Sequence, residues 1–148
     1  YDWGRIAGGR VSTPFSYGQT RGSNRDNGKP RNSIEPAQLA LGVQYDTAPW
    51  SLRLDARHHA AKQAKDIDNA SAVKAPNTQF TIPSATTLDV SGQWRIRKDI
   101  RLNLAVRNLT DRKYWLWPDV QGLAASSNAN DAYTQPGRSA HVSLVMDF

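Results

Sequence analysis

Apolar and polar residues alternate along five separate stretches of the chain. In residues 37–45, Ala37, Leu39, Leu41, Val43 and Tyr45 hold one register and Gln38, Ala40, Gly42 and Gln44 the other. Trp50, Leu52, Leu54 and Ala56 alternate with Ser51, Arg53, Asp55 and Arg57. Leu88, Val90, Gly92, Trp94 and Ile96 alternate with Thr87, Asp89, Ser91, Gln93 and Arg95, and Leu102, Leu104 and Val106 with Arg101, Asn103, Ala105 and Arg107. At the end of the chain Ala140, Val142, Leu144, Met146 and Phe148 form a wholly apolar register. The positions between them are polar except Val145. Successive side chains of a strand point to opposite faces, so each stretch predicts a strand with one face in an apolar medium and the other in a wet one. Residues 1–11 read as a sixth, weaker strand, loosened by Gly4, Gly8 and Gly9, whose faces the pattern does not assign.

The connections alternate too. Residues 46–49 and 97–100 are short turns, whereas 13–35, 60–83 and 111–137 are long and polar. Residues 62–74 hold enough Ala and Lys for a turn or two of helix. Six strands joined alternately by tight turns and long loops are the pattern of an outer-membrane barrel, with short turns at the periplasm and long loops outside. Tyr45, Trp50, Trp94 and Phe148 lie on the apolar register beside the short turns, where an interfacial girdle belongs. Tyr114, Trp115, Trp117 and Tyr133 gather at the opposite end.

Bulk composition narrows this picture only slightly. The 148 residues have a mean hydropathy of −0.64, and no run approaches the ~18 apolar residues of a membrane helix. A barrel has a polar lumen face, so low hydropathy does not exclude one. Without Cys there is neither a disulfide framework nor a thiolate metal site. The net charge of +6 suits nucleic acid or the phosphates of lipopolysaccharide equally well. A nucleic-acid-binding β-domain, however, needs an aromatic platform on an exposed sheet face. Here the faces carry Leu and Val and the aromatics sit at strand ends, which disfavours that class and argues for no nucleic-acid partner. A passive, adhesin-type barrel is a further alternative.

Arg53, Asp55, Arg57, Asp89, Arg95, Arg107 and Asp147 fall on the polar registers in mid-strand. Such charges are costly in a packed core but can form ladders across a wide, wet or plugged lumen. Six strands cannot close a lumen of that kind, since even small barrels need about eight. The chain, residues 1–148, is therefore expected to be the carboxy-terminal part of a larger barrel.

Particular motifs sharpen this. Asn108-Leu-Thr-Asp-Arg-Lys-Tyr-Trp115, Trp117-Pro-Asp-Val-Gln-Gly-Leu123 and Asp131-Ala-Tyr-Thr-Gln-Pro-Gly-Arg138 resemble the end of a TonB-dependent outer-membrane receptor. The fuller form of these segments is similar to the haem and haemoglobin receptor branch. So is Asn27-Gly-Lys-Pro-Arg-Asn-Ser-Ile-Glu-Pro36, apart from Arg31, which stands where Leu is usual. The terminal Phe148 after alternating apolar residues resembles the closing strand that the barrel-assembly machinery reads. The resemblance implies an all-β fold: the last six strands of an antiparallel transmembrane β-barrel of about 22 strands, integral to the bacterial outer membrane. It also implies a lumenal plug and an amino-terminal contact for TonB, neither visible here, and haem as transported ligand, not resident cofactor. The His-bearing Phe-Arg-Ala-Pro…Asn-Pro-Asn-Leu loop of that branch has no counterpart in this sequence. A siderophore receptor of the same fold is the nearest alternative.

Few residues carry chemistry. His58 and His59 are adjacent, so only one can face the lumen, and the register makes it His59. Imidazole is a common haem-iron ligand, and interfacial histidine at the outer rim is the plainer reading. Trp115, Trp117 and Tyr133 could stack on a planar ligand at the mouth or anchor the outer girdle. His141 falls on the lumen side of the last strand. Asp66 and Asp68 are too few for a Ca²⁺ site of ~6–8 oxygens. No catalytic constellation is present at any recognisable spacing, and the chain is read as a non-enzyme.

Overall fold

Each strand predicted between residues 37 and 147 is present. The computed structural model describes residues 1–71 and 73–147, so Phe148, assigned to the lipid-facing register, lies outside the described residues. One antiparallel sheet holds the strands β1 (Asp2–Ile6), β2 (Gly9–Ser12), β3 (Phe15–Gly18), β4 (Gln38–Asp46), β5 (Trp50–His59), β6 (Ala85–Arg95), β7 (Ile100–Arg107) and β8 (Ser139–Met146). Neighbours in the sheet are neighbours in sequence, running β1-β2-β4-β5-β6-β7-β8, with β3 paired to β4.

The amino end corrects the expected six strands. Residues 1–11 form a hairpin, β1 and β2, rather than one strand. Ala7 and Gly8 both adopt positive φ (50° and 86°), the two-residue turn whose twist matches that of the flanking strands. β2 and β3 then act as one interrupted pass along β4, with Val11 opposite Tyr45 and Phe15 opposite Leu41. Pro14 has no N–H to continue the ladder, but its carbonyl accepts from the Gly42 amide at 2.8 Å. The sheet therefore makes seven passes, and the first long connection starts at residue 19 instead of 13. The added turn falls at the same end as the turns at 47–49 and 96–99, because Arg10 pairs with Asp46. Three tight turns thus lie at one end and three long connections at the other.

Cross-strand partners confirm the two faces. Val43, Leu54, Val90, Val106 and Ala140 follow one another across the sheet on one side, as do Tyr45, Leu52, Gly92, Leu104 and Val142. Large apolar side chains on this face are exposed, among them Leu41, Leu52, Leu104, Val142, Leu144 and Met146. A protein that displays such a continuous apolar band needs an apolar medium against it. Phe15 and Tyr17 join the band from β3. At its turn end Tyr45 packs over Gly9 and donates from its hydroxyl to the Ala7 carbonyl at 2.8 Å.

On the opposite face the charges pair locally. Arg53 holds Asp55 at 2.7 Å, Arg57 reaches Asp89 at 3.2 Å and Arg101 reaches Asp147 at 3.3 Å. Gly42 is needed here, since a Cβ would lie 2.7 Å from Asp55 Oδ1 and 3.0 Å from Pro14 Cγ.

Candidate functional site: the mouth where the wall meets the long connections

The three long connections do not extend separately from the wall. Ile67 and Ile82 of the second and Trp117 and Val120 of the third form a buried cluster, with Phe80, Trp115 and Leu123 packed on it. Two 3₁₀ turns, Ala64–Asp66 and Asn69–Ser71, occupy the stretch whose composition predicts short helix. The Trp117–Val120 helical turn starts where Pro118 supplies a pre-set φ. Phe80 donates its amide to the Leu123 carbonyl at 2.8 Å, and Ala125 donates to Thr78 at 2.8 Å. The Trp117 indole N–H donates to the Asn32 carbonyl at 2.6 Å. Lys62, 4% exposed, places Nζ 5.0 Å from the centre of the Trp117 ring and donates to the Ile34 carbonyl at 2.7 Å. Each connection is thereby tied to the other two, giving a cap. Burial pushes the Lys62 ammonium below the usual lysine range, partly opposed by the Asp66 carboxylate.

The cap is fastened to the wall by the motif residues. Asn108, at the end of β7, is buried with φ 48°. Its amide nitrogen Nδ2 donates to the carbonyls of Arg112 and Pro136, and its Oδ1 accepts from the Arg112 amide at 2.9 Å. Asp111 Oδ1 accepts from the Arg138 amide at 2.7 Å, at the start of the last strand. Gly137 leaves room for that carboxylate, since a Cβ would stand 2.7 Å from the same oxygen. Asn-Leu-Thr-Asp and Pro-Gly-Arg are thus a hydrogen-bonded clasp across the base of the third connection.

His59 ends β5 opposite Gln38 and Ala85, on the face of Arg57 and Asp55 as the register predicts. Its ring stacks on Tyr114, with centroids 5.7 Å apart and planes at 24°. In the sequence Tyr114 falls in the aromatic group and in the Asn108–Trp115 motif, and neither points to this pairing. Burial raises the Tyr114 phenol above its ordinary range; Asp89 adds to the shift and Arg57 partly offsets it. His58 points to the apolar face, with Nδ1 2.9 Å from Thr86 Oγ1.

His59 borders two recesses. One, of about 220 Å³, is lined also by Trp115, Trp117, Pro36 and Ile82. The other, of about 540 Å³, is lined by Tyr17, Glu35, Gln38, Arg57 and both histidines. Three of the four ligand candidates from sequence therefore meet around the smaller recess. Tyr133 borders neither and is 43% exposed. Trp117 departs from the expected stacking role, because at 2% exposure its ring is committed to the cap's interior. Trp115 is half-buried, donates to the Asn130 carbonyl at 2.8 Å and meets Phe80 edge-on. Lys62 and Gln79, which shape the cap, carry no signal in the sequence because irregular loops have no period to read, and the Asn27–Pro36 motif that contains Asn32 does not point to its bond with Trp117.

A meandering sheet with a lipid band outside, ion pairs inside, tight turns at one end and a folded cap at the other is a segment of an outer-membrane barrel wall. The chain belongs to the TonB dependent receptor-like β-barrel family, whose model matches residues 1–109. It is 33% identical over 123 residues to the hemoglobin and hemoglobin-haptoglobin-binding protein A of Haemophilus influenzae, covering 78% of this chain and 11% of that protein. It is 32% identical over 107 residues to the heme/hemopexin utilization protein C of Haemophilus influenzae, covering 71% and 14%. Among solved structures the copper transporter OprC superposes with a TM-score of 0.73 at 21% identity, over 97% of this chain and 22% of that one. The ferric enterobactin receptor PfeA of Pseudomonas aeruginosa gives 0.63 at 18% identity, over 99% and 21%. These two likenesses concern fold alone. The chain spans between about a tenth and a seventh of the length of those two curated relatives.

Proposed function

We propose that this chain supplies part of the wall and outer cap of an outer-membrane receptor that imports haem, taken from haemoglobin. Two relatives whose names specify haemoglobin or haem support the reading. The observation that carries it is His59, an imidazole on the inner face at the mouth, bordering a recess of about 540 Å³. The recess spans both faces, Tyr17 and His58 lining it from the apolar side and Gln38, Arg57 and His59 from the inner one, so the reading is supported by the position of the imidazole and not by the volume. In this reading the chain is the carboxy-terminal part of the barrel, and a plug and the contact for TonB belong to the rest of the protein. Haem is cargo, held chiefly by residues elsewhere. Arginines of the first connection meet lipopolysaccharide phosphates, and β8 is the strand the assembly machinery engages.

Growth under iron limitation tests this. A strain lacking other haem receptors and expressing the full-length protein should grow on haem or haemoglobin as sole iron source, and His59→Ala should slow it. Growth on ferric siderophores but not on haem would refute the proposal and favour a siderophore receptor.

A further inference from the structure

The cap holds a further concavity, which His59 does not border. It measures about 750 Å³ and is lined chiefly by polar groups, including Asn24, Asp26, Arg31, Asp68, Gln79 and Gln121. Gln79 is 2% exposed, yet neither its amide nitrogen nor its carbonyl oxygen has a hydrogen-bond partner. Buried side-chain amides are nearly always satisfied, so an orphaned donor and acceptor on one wall of a polar recess call for a partner. Its backbone, by contrast, is fixed: the Gln79 amide donates to Asn69 Oδ1 at 2.8 Å, and the residue bridges to Ala124. The backbone at this wall is therefore fixed by the bridge to Ala124 on one side and by the Asn69 side chain on the other.

The lining defines the kind of ligand. Asp26 and Asp68 oppose an anion, while Arg31 opposes a metal cation, as does Lys29, whose ammonium sits 3.1 Å from Asp68. Asn24 and Asn27, both on the lining, each use Oδ1 to accept a backbone amide, from Asp26 and Lys29, and carry an amide NH₂ as well. Among the described residues no aromatic side chain borders the recess. What remains is a mixed set of amide, carboxylate and guanidinium groups suited to an uncharged ligand rich in hydroxyls. We propose that this recess is a saccharide-binding site, in which Gln79 both donates to and accepts from hydroxyls of an uncharged sugar ring. Both the sugars of lipopolysaccharide and the glycans of a glycoprotein carry that chemistry.

The test uses the full-length receptor in detergent micelles and calorimetric titration with two uncharged disaccharides, lactose and N,N′-diacetylchitobiose. At least one should bind saturably, in the millimolar range. Gln79→Met keeps the side chain's length without its amide and should weaken that binding roughly tenfold or more. Unchanged tryptophan fluorescence would show the cap still folded; should Gln79→Met disturb it, Arg31→Ala at the rim carries the same expectation. Displacement of the bound disaccharide by lipopolysaccharide core oligosaccharide or by glycan released from a serum glycoprotein would assign the source. Absence of saturable binding, equal binding by the variants, or displacement by neither glycan overturns the proposal.

Discussion

Trp117→Ala tests whether the three long connections fold as one unit. The indole is 2% exposed and packs with Ile67, Ile82 and Val120. Truncating a buried Trp typically costs about 3–5 kcal/mol. The indole donor to Asn32 and the ring under Lys62 vanish together, and the Lys62 ammonium, still buried, loses a face that is worth up to about 2 kcal/mol when desolvated. Collapse of flexible loops into the space recovers part of this, leaving a net loss of about 4 kcal/mol. The wall strands make none of these contacts, so the loss is local: the cap opens while the barrel stays closed. At about 1.4 kcal/mol per tenfold, the open fraction rises roughly a thousandfold. Trypsin digestion of the full-length receptor in detergent reads this directly, since Lys65, Lys74, Arg112 and Lys113 all lie in the cap. Cleavage follows the open population when the cap recloses faster than it is cut. Tyr133→Ala, at a 43% exposed position, should change the rate little, within about 0.5 kcal/mol. Wild-type cleavage rates in Trp117→Ala, or loss of the folded barrel along with the cap, would refute this account.

Val142→Arg puts a charge in the middle of the lipid face and should cost about 2–4 kcal/mol, lowering the barrel recovered from outer membranes. His141→Arg, one residue away on the inner face, should assemble normally, and equal recovery of the two would reverse the face assignment. Tyr114 has a folded pKa above its ordinary value, so its contribution to cap stability is complete below about pH 10 and is lost as pH rises through the folded value. The alkaline absorbance difference between wild type and Tyr114→Phe should accordingly appear later than that of an exposed tyrosine; an ordinary midpoint would mean that the phenol is not buried where the structure places it. Gly9→Ala would set a Cβ 2.4 Å from the Tyr45 ring and should cost about 1–3 kcal/mol, read as earlier unfolding of the barrel on heated gels.

The wall was legible because two different solvents wrote a period-two signal into it. From Leu39 to Met146 every apolar register position of β4 to β8 lies on one face, and the short turns fall within a residue or two of expectation. The amino end was not legible for local reasons. Ala7-Gly8 lacks the Asn or Asp that usually marks a two-residue hairpin turn, and a register shift between Asp2 and Gly4 breaks the alternation. Phe15–Gly18 was hidden behind Pro14, which reads as a loop residue but here donates nothing and still accepts from Gly42. In the cap, the sequence reads Trp117 as a rim aromatic because it shows residue type and not depth. Its burial depends on Ile67 and Ile82, far away along the chain.

Motif and ligand separate at the mouth. Asn108, Asp111, Gly137 and Arg138, the residues by which the family is read, hold one another and the chain's own carbonyls. With Nδ2 and Oδ1 of Asn108 both engaged, and Asp111 Oδ1 on the Arg138 amide, these groups have little left to offer a ligand. They therefore identify a fold and carry no information about cargo. Cargo must be read where side chains face open space beside fixed neighbours, which is the situation of His59 between Tyr114 and the larger recess. On the proposed import of haem, replacing His59 should consequently alter iron uptake with the barrel intact. Asn108→Ala should do the reverse, loosening the clasp at a cost of about 1–3 kcal/mol from the orphaned carbonyls and the Arg112 amide, with any loss of uptake following loss of folded receptor. If Asn108→Ala abolished uptake in a fully folded receptor while His59→Ala left it untouched, the roles assigned to motif and mouth would have to be exchanged.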